Sequence, residues 1–241
     1  MNIIKSSLIV CGDEVERRIL ETKKNLFNKI ILKKEHEEKQ LTFIDFKNRK
    51  INIVIEGEEL FIKNIKIPKV RKKYLSSIIK NEVFLRYGEN ILFTYSIYEE
   101  KEKEYLIKLY CFQKCRCKFL QDEKLRESSI VNIDFMQNYV KDFYSKTIKE
   151  DKYILIFNYG KYIYLLKVKK NILVFNKIIN IFKSNYDYCK KEIESFIKYN
   201  ENYKFIYKVN MNDYEDILDI PNIKSLSNFN VEELLKIFFI K

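Results

Sequence analysis

The residues best suited to bond-making chemistry are few and scattered. The one histidine, His36, sits in the charged run EHEEK, where a solvated surface is expected rather than a catalytic dyad or triad. Of five cysteines, Cys111, Cys115 and Cys117 cluster as C-x3-C-x-C. A zinc site usually couples one close pair of ligands to a second pair, and His36 is far away in sequence, so reduced thiols in a cytoplasm are the expectation and no metal site. Carboxylates number 34, yet no spacing sets two of them across a cleft. Four glycines are too few and too dispersed for a P-loop or a dinucleotide fingerprint. What remains are turns whose backbone could meet a ligand: Cys11-Gly12-Asp13, Asn158-Tyr159-Gly160 and Asn210-Met211-Asn212-Asp213. Asp134 ends a short apolar run ahead of a helix, where an aspartate is a natural N-cap.

These turns need strands to hold them. Residues 153–157 form a continuous apolar run of the length of a strand buried on both faces. Two more strands follow at 161–168 and 172–179. They are separated by Asn158-Tyr159-Gly160 and by Lys169-Lys170-Asn171, which predicts an antiparallel meander. Upstream, 8–11, 41–46, 51–55 and 60–67 read as strands, 14–28 as a helix or two strands, and 33–39 as a solvated turn or helix end. In 60–67 the alternation sets Phe61, Ile65 and Ile67 against Lys63 and Lys66. Pro68 ends that strand and opens a helix over 69–87, with Tyr74, Leu75, Ile78, Ile79 and Val83 on one face and Arg71, Lys72, Lys73 and Lys80 largely on the other. Gly88 stops it. Strands at 92–98 and 105–112 and helices at 114–127 and 136–144 come next. Ser184-Asn185-Tyr186-Asp187 resembles a capping box for a helix reaching about 199, ahead of a strand at 205–209. A short helix at 214–218, a turn at Pro221, a strand at 223–226 and a last helix capped by Asn230, with Val231, Leu234, Leu235 and Phe238 inward, complete the pattern.

The net charge is +12 and the pI about 9.2. A basic chain with 18 tyrosines and 18 phenylalanines suggests nucleic-acid binding by stacking as one reading. Against it, the lysines are interspersed with acids rather than blocked, no RNA- or DNA-binding motif is present, and most aromatics fall on inward faces. No run reaches the length of a membrane span, and the apolar core of the N-terminal run is too short for a signal peptide, so a cytoplasmic protein is expected.

The order strand, Ile67-Pro68, helix carrying Asn81-Glu82, strand, strand resembles the small subdomain inserted in the first lobe of FtsA and of the type IV pilus assembly protein PilM group. The meander at 153–179, with its following helix and strand, resembles the second lobe of that group and of the GspL cytoplasmic domain. This resemblance implies an α/β (mixed α+β) fold of the actin-like, ribonuclease H-like kind, two-lobed and shortened. Residues 1–59 and 118–150 would form a reduced first lobe, 60–117 the inserted β-α-β-β subdomain, and 151–241 the second lobe. Asp134 matches a strand-ending aspartate of the family. The family grips nucleotide with an Asp-x-Gly loop in each lobe and a Gly-Gly turn at the adenosine. Here Cys11-Gly12-Asp13 has its residues out of order, Asn158-Tyr159-Gly160 lacks the carboxylate and is followed by Lys161 and Tyr162, and Asn210-Met211-Asn212-Asp213 replaces the glycine pair.

The resemblance therefore implies a pseudo-ATPase with no catalytic residues. Asn158 and Gly160 would be a vestigial phosphate loop, with no cofactor, and ATP with Mg²⁺ would be a minor alternative. It further implies a non-catalytic scaffold of a type IV pilus or type II secretion-like machine, peripheral at the inner face of the cytoplasmic membrane. Its partner would be the short cytoplasmic tail of a membrane-anchored PilN-like protein, held in a groove between the inserted subdomain and the first lobe, with a pilus assembly ATPase as a further partner. Lys63, Lys66, Arg71, Lys72 and Tyr74 would line that groove. Nucleic acid is not favoured as a partner.

Overall fold

The computed structural model describes residues 7–13, 16–24, 30–37, 49–121, 129–212, 214, 223–230 and 233. Two five-stranded sheets repeat one plan. In the first, β1 (Ser7–Gly12), β2 (Arg17–Lys24) and β3 (Ile30–Glu37) form an antiparallel meander. β4 (Lys50–Ile55) and β8 (Ser129–Phe135) then add in parallel, giving the order β3-β2-β1-β4-β8. In the second, β9 (Lys152–Tyr159), β10 (Tyr162–Lys169) and β11 (Ile172–Asn180) are the meander, with β12 (Phe205–Val209) and β13 (Ile223–Ser225) parallel to β9. Its order, β11-β10-β9-β12-β13, is the same as that of the first sheet.

A third sheet, β5-β7-β6, comes from β5 (Phe61–Pro68), β6 (Ile91–Glu100) and β7 (Glu104–Gln113). The helix α1 (Lys72–Tyr87) covers one face of it. Leu75, Ile79 and Val83 of α1 pack on Ile65, Ile67, Ile107 and Leu109. Pro68 closes β5, and Gly88, at φ +79, ends α1 by donating its N–H to the Phe84 carbonyl at 2.9 Å.

The helix α2 (Met136–Tyr144) lies in the apolar core shared by the two large sheets, and most of its residues are buried. Met136, Tyr139, Val140 and Tyr144 supply apolar contacts in that core. The helix α3 (Tyr186–Lys198) seals the far face of the second sheet with Cys189, Ile193 and Phe196. Asn185 caps it, its Oδ1 accepting from the Tyr188 N–H at 2.8 Å. Coverage on both sides explains the unbroken apolar runs. Tyr153, Leu155 and Phe157 enter the central core while Ile154 and Ile156 meet α3. Among the described residues no helix is long and apolar enough to cross a membrane.

Several expectations change. Within 14–28, expected as a helix or two strands, β2 is a strand over Arg17–Lys24, and 14, 15 and 25–28 lie outside the described residues. The charged run at 33–39 is largely β3, an edge strand whose Glu35 faces Arg18 (3.3 Å) and whose Lys33 faces Glu21 (3.5 Å). Edge strands tolerate such charges because one side stays wet. In place of the start of the helix expected over 114–127, two 3-10 turns run Lys114–Arg116 and Lys118–Gln121. Between them Cys117 is buried in extended backbone and breaks the helical path. Asp134 lies in β8 rather than at the N-cap, which is Phe135, and its Oδ1 accepts from Phe135 N–H (2.8 Å) and Asn138 Nδ2 (2.7 Å). Asn230 does cap its helix start, exchanging bonds with Glu233 at 2.9 and 3.2 Å. The strand at 41–46, most of the short helix at 214–218, Pro221 and the rest of the last helix lie outside the described residues.

Candidate functional site: a cleft closed by its own side chains

The β1–β2 turn of the first sheet and the β9–β10 hairpin of the second face each other across a cleft of about 810 Å³. Cys11, Asp13, Glu16, Arg18, Glu56, Tyr159, Lys161 and Tyr162 line it, among others. The hairpin turn is Gly160-Lys161, since Tyr159 pairs with Tyr162. Asn158 therefore sits inside β9, opposite Ile163, and does not line the cleft. Gly160 occupies the turn at φ +58, with open space where a Cβ would stand.

Asp13 is held by donors from both sides. Its Oδ1 accepts from the Glu16 N–H at 2.8 Å. Its Oδ2 accepts from the Tyr162 hydroxyl at 2.8 Å and lies 2.9 Å from Lys161 Nζ. Lys161 also reaches Glu16 Oε2 at 2.8 Å. Desolvation works against the Lys161 charge, but hydrogen bonds to Glu16 and Asp13 carry its ammonium above the ordinary lysine value. A parallel bridge runs from Arg18 to Glu56 (3.2 Å) and to the Tyr159 hydroxyl. Burial pushes the Cys11 thiol up, so it stays protonated and is no nucleophile.

Burial also pushes the Glu56 carboxyl up, against the pull of Arg18. A carboxyl raised in the folded state stabilises the fold fully below its unfolded value and loses that contribution as pH rises through the folded one. Relative to Glu56→Gln, the natural chain should therefore gain stability between about pH 7 and about pH 5. Urea titrations of both proteins at the two pH values check this. A gap moving the other way would mean that Arg18 holds Glu56 ionised.

A strap of five residues leads from this cleft to β5. Glu56 N–H donates to Gly12 O (2.8 Å), and Gly57 N–H to the Tyr164 hydroxyl (2.8 Å). Gln137 Nε2 donates to Glu58 O (2.6 Å), while Arg116 lies 3.2 Å from Glu58 Oε2. Ile178 N–H, on the β11 edge, donates to Glu59 Oε1 (3.0 Å). The Asn176 side chain both accepts from Leu60 N–H (2.9 Å) and donates to Leu60 O (3.0 Å), imitating a strand partner. Every residue of the strap is thus bonded to a neighbouring element.

At the expected adenosine turn, Asn210 adopts φ +51, and its side chain is bonded both ways to the Phe229 backbone at 3.2 Å. Phe229 stacks on Tyr159 with centroids 5.8 Å apart. These residues do not suit a magnesium triphosphate. Asp13 is bonded through both oxygens, to Glu16 N–H, Tyr162 and Lys161, and Glu56 through Oε1 to Arg18, so a hard cation would have to displace these donors to reach the carboxylates. Among the described residues no group of three His, Cys, Asp or Glu could hold a metal.

The sequence reading missed Asp13, Glu16, Arg18, Glu56 and Tyr159 as parts of one site, and treated Lys161 and Tyr162 only as departures from a motif. The available signal was glycine: of four in the chain, Gly160 lines the cleft, while Gly12 and Gly57 stand directly against its lining residues Glu16, Arg17 and Tyr162. Of the expected groove residues, Lys66, Arg71, Lys72 and Tyr74 gather near the end of β5 and the start of α1, all exposed. Lys63 shares the strand face of Ile65 and Ile67, so the two-residue period sets it on the opposite side of β5 from Lys66. Phe61, expected inward, is exposed.

Two sheets of one order and polarity, facing across a cleft and carrying an inserted small subdomain, define the actin-like two-lobed fold. Among solved structures, the chain is similar to a Bacteroides thetaiotaomicron protein of actin-like ATPase fold and unknown function. The TM-score is 0.58 at 11% identity, over 98% of this chain and 96% of that one. It is equally similar to a chain of a PilM-PilN type IV pilus biogenesis complex, with TM-score 0.58, 9% identity and coverage of 100% and 99%. The cytoplasmic domain of EpsL, an inner-membrane component of the Vibrio cholerae type II secretion system, gives 0.51 at 7% identity, over 98% and 95%. No protein-family model matches the sequence, and no curated protein matches it.

Proposed function

We propose that this protein is a non-catalytic scaffold of a type IV pilus or type II secretion-like assembly machine. It works at the inner face of the cytoplasmic membrane and docks the short cytoplasmic tail of a membrane-anchored PilN-like partner on its inserted subdomain. The observation that carries the non-catalytic part is the Lys161–Asp13–Tyr162 contact: the groups that would meet phosphate and metal are bonded to one another across the lobes. The assembly role is supported by full-length similarity to a chain of the PilM-PilN complex and to the EpsL cytoplasmic domain. The docking residues are Lys66, Arg71, Lys72 and Tyr74, with Lys63 on the α1 side of β5. An extended tail would bury apolar anchors there while these cations meet its acidic residues.

The test is calorimetric titration with a synthetic peptide copying the cytoplasmic tail of a PilN-like protein of the same organism. Binding should be saturable, and Arg71→Glu should weaken it about tenfold. Millimolar ATP with Mg²⁺ should leave the melting temperature unchanged, because a ligand stabilises only the state it binds. Absence of tail binding removes the docking role. ATP turnover lost on Lys161→Ala removes the non-catalytic one.

A further inference from the structure

Residues 61–88 hold eight lysines and arginines and one glutamate. That glutamate, Glu82, is ion-paired with Arg86 one turn further along α1. Lys72, Lys73 and Lys80 are exposed, and no ion pair engages them among the described residues. At 100° per residue, Ser77, Phe84 and Lys73 project away from the buried row Leu75, Ile79 and Val83, and Lys80 stands on the flank beside them. Phe84 is 50% exposed and its neighbour Leu85 78%. Tyr74 lies half-exposed under Lys73, whose Nζ stands 4.8 Å from the ring centroid.

We infer that the outer face of α1 seats directly on an anionic lipid surface. The face is a convex helical ridge that combines unpaired lysines with protruding apolar side chains and carries no acid. A convex ridge has no pocket to select a peptide, but it suits a diffuse, fluid array of headgroups. Lysine stems lie along the interface with their ammonium groups at the phosphates, while Phe84 and Leu85 enter the upper acyl region. The lysines and the apolar pair act together, since neither alone gives stable attachment. This contact is separate from tail docking, which needs no lipid, so either can fail without the other.

The test is flotation of the purified chain with vesicles of phosphatidylcholine containing about 30% phosphatidylglycerol, against pure phosphatidylcholine. The expected result is binding to the first only, falling steeply as salt rises. Removal of one lysine at such a surface is worth about fivefold in binding, so the double variant Lys73→Glu, Lys80→Glu should lose about 25-fold or more. Phe84→Ser with Leu85→Ser should weaken binding at least about tenfold with no change in melting temperature, because exposed side chains contribute little to stability. Lys191→Glu with Lys198→Glu, on exposed positions of α3, should leave binding within about twofold. Equal loss in that control would overturn the proposal in favour of overall charge. Wild-type protein that ignores anionic vesicles, or that binds soluble polyglutamate and not vesicles, would also overturn it.

Discussion

Asn176→Ala should remove about 3 to 5 kcal/mol of folding stability, one of the largest losses expected from any single polar side chain here. Asn176 and Leu60 are both buried, and the asparagine amide serves both the N–H and the C=O of Leu60. It also accepts from Gln137, which holds Glu58 O at 2.6 Å. Alanine leaves a buried backbone donor and a buried acceptor without partners, each costing about 1 to 3 kcal/mol. For a chain of this size the melting temperature should fall by about 6 to 10 °C. Asn176→Asp should be no better. It keeps an acceptor for Leu60 N–H but loses the donor to Leu60 O and buries a charge. Thermal and urea unfolding followed by circular dichroism measure this. A loss below about 1 kcal/mol would mean that water replaces the amide and that the strap is not fixed at this edge.

Gly57→Ala should cost about 3 kcal/mol, and the cost should depend on one partner. Gly57 stands at φ +70, and a Cβ there would run into the ring of Tyr162. That ring is buried, and its hydroxyl is bonded to Asp13, so it cannot swing aside without breaking the bridge between the lobes. The backbone strain alone accounts for about 1 kcal/mol. In a Tyr162→Ala background the clash is gone, so Gly57→Ala should then cost only about that 1 kcal/mol. A double-mutant cycle from urea titrations reads out the difference of about 2 kcal/mol. Additive losses would show that the ring yields easily and that the lobes are not locked there.

The strands of the second sheet were readable because both of its faces are covered, so β9 is apolar at every position from Tyr153 to Phe157. The helix α1 was readable from Pro68 and Gly88, two local signals that do not depend on the rest of the chain. The turn after β9 was misplaced for the opposite reason. Asn-Tyr-Gly looks like a turn locally, but Tyr159 is held in the strand by Arg18 and Phe229, partners far along the chain. The same distance hid the cleft. Asp13 and Lys161 meet across 148 positions, and no spacing rule links them. The fold pattern thus survived in local periodicity, while the contacts that close the cleft are purely tertiary.

The strap has a mechanical consequence. Five residues fully extended would reach roughly 17 Å, and although the strap bends at Gly57, each of Glu56 to Leu60 is bonded to a neighbouring element. Tension applied to β5 from outside must break these bonds before the strap can straighten. The molecule is thereby a stiff coupling rather than a compliant one: load on the appended sheet is borne at the seam between the lobes.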